Sequence, residues 1–354
     1  MYIEKLELNN FRNYKKLDLK LEQNINIFYG DNAQGKTNIL EAIFLCAFGK
    51  SFRTNKEKEL INLDENFFDI SLIYKKSDRD GKIQINFSDK KNIKVNGVKI
   101  KKLSELLGNI NVVIFTPDDI NILKDGPAKR RRFLDMMIGQ LRPNYVFILN
   151  QYLKTIEQRN NFLRQIRETN CSREMLEIWN EKLAEDAIKI YAYRNEFINK
   201  LKSKIGEIHK KITNGKEEIK IEYISECEDK EKFLKLLEER TNLDIIKGFT
   251  TKGIHRDDFS VYINDKEVNV YGSQGQNRTV ILTLKLSELE VIHDEIGEYP
   301  ILLLDDFMSE LDEKRRNNFL NNIEDTQVII TCTDKIEIKN NNYKLFNVKK
   351  GEIF

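Results

Sequence analysis

Proline is scarce, with 4 in 354 residues, so little in the chain interrupts long helices or strands. Cysteine is equally sparse. Cys46, Cys171, Cys227 and Cys332 lie far apart, with no C-x-x-C and no histidine at metal spacing. That argues against a zinc site or a disulfide framework and for reduced, partly buried thiols in a cytoplasmic protein. Only three histidines occur, His209, His255 and His293, and they form no nuclease-like His/Asp pattern. No apolar run approaches the ~18 residues of a membrane span. The start, Met1-Tyr2-Ile3-Glu4-Lys5, has neither the basic nor the apolar region of a secretion signal. No membrane partner is expected. Lys+Arg number 59 and Asp+Glu 57, a formal +2, which excludes a wholly basic nucleic-acid coat but permits local patches of one sign.

Length and patterning fill in the rest. At ~150 residues per domain the chain is long enough for roughly two domains. The first third reads as short strands: Leu17, Leu19 and Leu21 alternate, as do Ile25, Ile27 and Tyr29, and Ile70 to Tyr74 and Ile83 to Phe87 continue the style. Asn96-Gly97 between Ile93 and Ile100 predicts a type I′ hairpin. The middle changes to helical spacing. Leu149, Tyr152, Ile156, Leu163 and Ile166 form one run, and Leu176, Trp179, Leu183, Ala187, Ile190, Phe197, Leu201, Ile205 and Ile208 a second. Ser172 is the expected N-cap of the second, with Glu174 in its first turn, and the two helices are expected to form an antiparallel hairpin. Later, Ile219, Ile221 and Tyr223 alternate, Asp229 precedes a helical run, and Phe259, Val261 and Ile263 lead into an Asn264-Asp265 turn. Ile301–Leu304 and Val328–Ile330 read as buried parallel strands.

Three segments carry chemistry. Gly30-Asp31-Asn32-Ala33-Gln34-Gly35-Lys36-Thr37 fits G-x-x-x-x-G-K-[ST], between an alternating strand and the apolar run Ile39 to Phe48. In this pattern backbone N–H groups and a helix N-terminus cradle phosphates, the lysine reaches the β- and γ-phosphates, and the hydroxyl ligates Mg²⁺. Lys36 and Thr37 take those roles. Leu302-Leu303-Leu304-Asp305-Asp306 is a buried strand ending in two carboxylates. Asp305 is the expected second metal residue and Asp306 the expected group that orients or deprotonates water. Tyr271-Gly272-Ser273-Gln274-Gly275-Gln276 precedes a helix from Thr279 to Ile292. Ser273 offers a hydroxyl and free N–H groups at a helix start, an anion site that makes sense if a second subunit presents it.

These segments in this order, with Ser309-Glu310-Leu311-Asp312 after the acidic pair, resemble an ATP-binding-cassette ATPase. Phe11-Arg12-Asn13-Tyr14, Asn38-Ile39-Leu40-Glu41-Ala42 after Thr37, Phe115-Thr116-Pro117-Asp118-Asp119, Arg131-Arg132-Phe133-Leu134-Asp135 and His255-Arg256-Asp257-Asp258 narrow the resemblance to the RecF family, recombination mediators related to SMC-type ATPases. The resemblance implies an α/β fold: an ABC-type P-loop ATPase head with an N-terminal mixed β-lobe and an inserted helical-hairpin domain. It implies head segments at 1–125 and 246–354 around a helical domain at 126–245. It implies ATP and Mg²⁺ held by Gly30, Asn32, Ala33, Gln34, Gly35, Lys36, Thr37, Asn38 and Asp305, with catalytic roles for Lys36, Asp305, Asp306 and Ser273. Ser273, Gly275, Gln276 and Asp312 would meet nucleotide across an ATP-dependent homodimer. Expected partners are double-stranded DNA, single/double-strand junctions, RecR, RecO and RecA, in recombinational repair, replication restart and SOS induction. ATP hydrolysis is expected to be slow and DNA-dependent.

The chain departs from the cassette pattern at identifiable positions. Thr331 or a neighbour stands where many cassette ATPases have a switch histidine, or the contact is absent. Asp306 replaces glutamate, Ala33 takes a position where SMC relatives have glycine, and Phe115 to Asp119 occupies the place of the γ-phosphate-sensing glutamine loop. Basic runs are candidate DNA contacts through counterion release. From 124 to 167 there are ten Lys/Arg against three Asp/Glu, from 200 to 216 six Lys against Glu207, and from 89 to 102 six Lys against Asp89. Lys129, Arg130, Arg131 and Arg132 form the densest cluster and the expected DNA contact. A transporter nucleotide-binding subunit or another SMC-like head shares the nucleotide motifs; the helical insertion and basic runs favour DNA.

Overall fold

A computed structural model describes residues 1–169, 171–307, 325–335 and 343–354. The chain forms two compact units, 1–119 with 288–354, and 120–287.

The first unit opens with β1 (Tyr2–Phe11), β2 (Tyr14–Lys20) and β3 (Ile25–Tyr29), followed by α1 (Lys36–Phe48). Strands β4 (Phe68–Lys75), β5 (Asp80–Phe87), β6 (Lys91–Val95) and β7 (Val98–Lys99) follow, then β8 (Val112–Phe115). One antiparallel sheet runs β2-β1-β4-β5-β6-β7. Its β4 buries every second residue, as the alternation of Ile70, Leu72 and Tyr74 requires. Asn96 and Gly97 take φ 50° and 81° between β6 and β7, the type I′ turn expected of Asn-Gly.

The second unit holds α2 (Asn121–Lys124), α3 (Pro127–Leu141), α4 (Pro143–Thr169), α5 (Met175–Thr213), β9 (Ile219–Ile224), α6 (Lys230–Lys247), β10 (Asp258–Ile263), β11 (Lys266–Glu267) and α7 (Val268–Tyr271). Helix α8 (Gln274–Ile296) begins in it, and the division falls within that helix. Tyr145 of α4 meets Arg194 of α5 at 3.0 Å, and Arg159 meets Asn180 at 2.9 Å, so the two helices run antiparallel. Helix α5 starts at Met175, later than expected. Glu174, just before it, is already helical in φ and ψ and offers no side-chain cap of its own, while Ser172 Oγ accepts from Glu174 N–H at 3.4 Å, as the expected cap would. Asp229 does cap α6, accepting from Lys232 N–H at 2.9 Å. Residues 246–287 were expected with the ATPase head but lie in this unit, where β10 pairs with β9 on one side and β11 on the other.

Returning to the first unit, β12 (Ile301–Asp305), β13 (Val328–Cys332), β14 (Tyr343–Lys349) and β15 (Glu352–Ile353) complete a second sheet in the order β15-β14-β3-β13-β12-β8. All its pairings are parallel except β14–β15. Strands β12 and β13 are buried throughout, which is why they read as continuous apolar runs. Helix α1 touches β12 and β13 of this sheet and β4 and β5 of the other. Covered on several sides, it is apolar nearly all round.

A buried polar cluster centres on residues 250–258 of the second unit. His255 Nε2 faces the Thr250 carbonyl and Nδ1 faces the Tyr152 hydroxyl, each at 3.0 Å. Burial pulls the His255 pKa down to about 4, and burial pushes Asp257 up to about 6 against hydrogen bonds from Tyr223 and Arg194. The two act with opposite sign. Neutral His255 costs stability as pH falls below its ordinary 6.5, whereas Asp257 costs stability as pH rises from its ordinary 3.8 through about 6. Asp257→Asn leaves the histidine unopposed. Stability of that variant is expected to rise by about 1.4 kcal/mol per pH unit between roughly pH 4 and 6.5, against a flatter wild-type profile, in urea unfolding at stepped pH. Equal slopes would contradict the assignment.

Candidate nucleotide-binding site

The loop between β3 and α1 is shaped by left-handed backbone at Gly30, Ala33 and Gly35, with φ of 145°, 63° and 115°. Two of these positions also lack room. A Cβ on Gly30 would approach the Val348 carbonyl to 2.4 Å, and one on Gly35 would approach the Asn13 side chain to 2.5 Å. Gly35 is the N-cap of α1 and provides no side-chain cap, so the helix start presents its N–H groups to whatever lies before it. Lys36 is buried, and its Nζ donates to the carbonyls of Gly30 at 2.6 Å and Asp31 at 2.7 Å. Among the described residues no carboxylate pairs with that ammonium. Asn32 and Ala33 are exposed at the loop tip.

Asp305 sits at the carboxyl end of β12, in register with Thr331 of β13. Ligand sites of parallel sheets form at that edge. Oδ1 of Asp305 accepts from Thr37 Oγ1 at 2.7 Å and from Thr331 Oγ1 at 2.8 Å. Burial raises the Asp305 pKa, opposed by the two hydroxyls and by the charge of Arg53. Asp306 follows with a left-handed φ of 49°, and its N–H donates to Thr331 Oγ1 at 3.0 Å. Thr331 thus stands at the expected switch position, tied to both acidic residues. The donor set fits magnesium with a polyphosphate: a hydroxyl and a carboxylate within hydrogen-bond reach are hard oxygen ligands, and a buried ammonium and an open helix start suit phosphate oxygens.

Around the loop lies a charged cluster whose connections sequence reasoning missed. Glu41 of α1 is fully buried. Arg12 clasps it with Nε–Oε2 at 2.9 Å and Nη2–Oε1 at 2.7 Å, Ser51 donates to it, and Arg53 Nη1 reaches it at 3.3 Å. Arg53 also holds Asn38 Oδ1 at 2.8 Å. The available signal was a lone glutamate inside the run from Ile39 to Phe48, since a buried carboxylate requires partners.

Ser273 and Gln276 make a capping box at the start of α8. Gln276 N–H donates to Ser273 Oγ at 3.2 Å and Ser273 N–H to Gln276 Oε1 at 3.0 Å. The Gln276 amide also donates to Glu217 at 2.9 Å. The N–H groups expected to be free are therefore partly used within the helix start, while Ser273 and Gly275 are exposed. Asp312, with Ser309, Glu310 and Leu311, lies outside the described residues. Phe115 ends β8, and Thr116 N–H donates to Asp119 Oδ2 at 2.6 Å. One histidine–carboxylate group not foreseen from sequence, Glu290, His293 and Asp294, gathers on α8.

The basic cluster is divided. Arg130 is 6% exposed, forms a two-point ion pair with Asp258 at 2.6 and 2.9 Å, and donates to the Ile122 and Asp125 carbonyls. Arg131 is half-buried and donates to the Asp257 carbonyl at 2.7 Å. These two arginines are internal braces, not open contacts; Lys129 and Arg132 are exposed. Helical periodicity explains the split, since α3 turns adjacent positions to different faces.

Comparison with known proteins is consistent along the whole chain. The family model described as RecF/RecN/SMC N terminal domain matches residues 2–353. The chain is 46% identical over 363 aligned positions to the DNA replication and repair protein RecF of Clostridium beijerinckii, covering 100% of this chain and 98% of that one. It is 44% identical to the protein of that name from Acetivibrio thermocellus, covering 97% and 96%. Among solved structures, the recombination mediator protein RecF–ATP of the RecFOR pathway matches with a TM-score of 0.94 at 40% identity, covering 100% of this chain and 97% of that one. An Smc head domain from Pyrococcus furiosus matches at 0.58 and 17% identity, covering 99% and 95%, a likeness of fold alone.

The division of the basic cluster has a direct test. Arg130→Met is expected to destabilise the protein by about 2 kcal/mol, because part-buried Asp258 loses both bonds of a charged two-point pair. Arg132→Ala is expected to change stability by less than about 0.5 kcal/mol. Urea unfolding of both variants checks this, and equal costs would contradict the division.

Proposed function

This chain belongs to the RecF family, and we propose that it is an ATP-dependent, DNA-binding recombination mediator. The observation that carries the reading is the hydrogen bond of Thr37 to Asp305, two residues 268 positions apart that meet beside a buried lysine and an open helix start. Gly30 to Asn38 form the phosphate cradle, with Lys36 as its cation. Thr37 and Asp305 hold Mg²⁺, which when bound offsets phosphate charge and polarises the terminal phosphoryl group. Asp306 orients and deprotonates the attacking water. The short reach of an aspartate there, and its backbone tie to Thr331, accord with slow hydrolysis. Ser273 and Gly275, exposed at the start of α8, serve the nucleotide of a second copy, with Gln276 holding the Ser273 cap in shape.

On this reading ATP is part of a dimer interface and stabilises the dimer by linkage. Duplex DNA and single/double-strand junctions are the polyanionic partners, met by exposed cations such as Lys129 and Arg132 rather than by Arg130 and Arg131. The relative solved with ATP is described as acting in the RecFOR pathway. That supports RecR and RecO as partners here; placing of RecA on gapped DNA, in recombinational repair, replication restart and SOS induction, is proposed from the family resemblance of the motifs.

Light scattering with ATP, ADP and no nucleotide tests the central step. Wild type is expected to double in mass with ATP alone, and Ser273→Arg to stay monomeric while binding ATP normally, because Lys36 and Thr37 are untouched. A mass that ignores nucleotide, or a variant that dimerises normally, contradicts the reading. Asp306→Asn is expected to bind ATP and DNA like wild type but to lose roughly 10²–10⁴-fold in single-turnover hydrolysis, the range for a general base. An unchanged rate would move that role elsewhere.

A further inference from the structure

The motif Phe11-Arg12-Asn13-Tyr14 carries a resemblance but has no role in the chemistry above, and the hairpin of β14 and β15 has none either. Both converge on Gln34, in the middle of the phosphate loop. Asn13 Nδ2 donates to the Gln34 carbonyl at 2.7 Å, and Asn13 Oδ1 accepts from Asn38 Nδ2 at 2.8 Å. One side-chain amide therefore spans the loop and the first turn of α1, using its donor on one and its acceptor on the other. Opposite it, Lys350 and Gly351 form the two-residue turn between β14 and β15, both left-handed at φ 51° and 77°. Their consecutive N–H groups close on the same residue. Lys350 N–H donates to Gln34 Oε1 at 2.6 Å and Gly351 N–H to the Gln34 carbonyl at 3.1 Å.

The packing leaves no slack. A Cβ on Gly351 would approach the Asn13 carbonyl to 2.5 Å, and one on Gly35 the Asn13 side chain to 2.5 Å. The β14 backbone also closes on the first loop residue, since the Val348 carbonyl is what a Cβ on Gly30 would strike. A lysine in left-handed backbone at a turn that prefers asparagine or glycine is a strained choice.

We propose that Asn13 and the β14–β15 turn form a clamp on Gln34 that holds the phosphate loop in its nucleotide-accepting shape. Asn13, Gln34 and Gly351 are positioning residues: the clamp pre-pays the ordering of the loop, so nucleotide binds without that cost. The proposal rests on the ATP-site reading.

The test uses the full chain with calorimetric MgATP titration and hydrogen exchange of residues 30–37 without nucleotide. Asn13→Asp keeps the acceptor for Asn38 but removes the donor to Gln34. Gln34→Leu removes the acceptor for Lys350. Each is expected to weaken ATP binding about fivefold, the effect of losing one hydrogen bond at a part-buried or exposed position, and to speed loop exchange while cooperative melting is kept. Gln34→Glu retains an oxygen for Lys350 N–H while giving up the 3.5 Å donation to the Asn32 carbonyl, and its loop exchange without nucleotide is expected to stay well below that of Gln34→Leu. ATP binding and loop exchange like wild type in both Asn13→Asp and Gln34→Leu would overturn the clamp, as would nucleotide-free loop exchange in Gln34→Glu as fast as in Gln34→Leu. If wild type itself fails to bind ATP and Lys36→Ala is no different, the ATP-site reading falls. In that case nucleotide-free exchange still decides the clamp, with unchanged rates in Asn13→Asp overturning it.

Discussion

A carboxylate buried at the end of a central strand is the constraint on which the nucleotide site depends. Burial disfavours the Asp305 anion, and a buried anion persists only where donors meet it. The donors are Thr37 on α1 and Thr331 on β13. One oxygen therefore ties together the helix that follows the phosphate loop and two neighbouring parallel strands. Glu41 repeats the device one turn further along α1, where Arg12, Ser51 and Arg53 meet it. The helix that opens on the phosphate cradle is thus located by two buried carboxylates as well as by its apolar surface.

In the second unit, buried charge has a different use. Arg159 and Asp244 pair with no exposure at all, and Thr250 and Thr251 add further bonds to the pair. Arg194 gathers Tyr145, Asp135, Asp257 and the Ile254 carbonyl. Such networks add specificity more than stability, and here they fix α4 and α5 against residues 244–258. Two strings that carried the family resemblance meet here: Arg130 binds Asp258, Arg131 binds the Asp257 carbonyl, Asp135 binds Arg194, and Phe133 packs near Phe259 at 6.1 Å. Two of the four cations that read in sequence as a basic patch, Arg130 and Arg131, are thus held by Asp258 and the Asp257 carbonyl.

The legible parts of this fold were those set by local chemistry. Alternation announced β2, β4 and β9, continuous apolar runs announced β12 and β13, Asn-Gly announced its turn, and Asp229 announced the start of α6. The phosphate loop was legible because its glycines are demanded by backbone geometry at Gly30 and Gly35. What escaped depends on partners far away in the chain. Nothing near Arg130 reveals that Asp258, 128 positions on, buries it. The Lys350-Gly351 turn lacks the asparagine that would mark it, and its lysine is held in place by Gln34. Ser172 has the chemistry of a cap and accepts from Glu174 N–H at 3.4 Å, yet the regular helix starts only at Met175. The division within α8 has no sequence mark, because a continuous helix crosses it.

A crystal structure grown with ATP and Mn²⁺, in which anomalous scattering locates the metal, is the most direct test of the nucleotide site. The expected result is a metal beside Thr37 Oγ1 and Asp305, and phosphate oxygens at Lys36 Nζ and the start of α1, with Lys36 released from the Gly30 and Asp31 carbonyls. Nucleotide bound elsewhere, or a metal peak away from both Thr37 and Asp305, would contradict it.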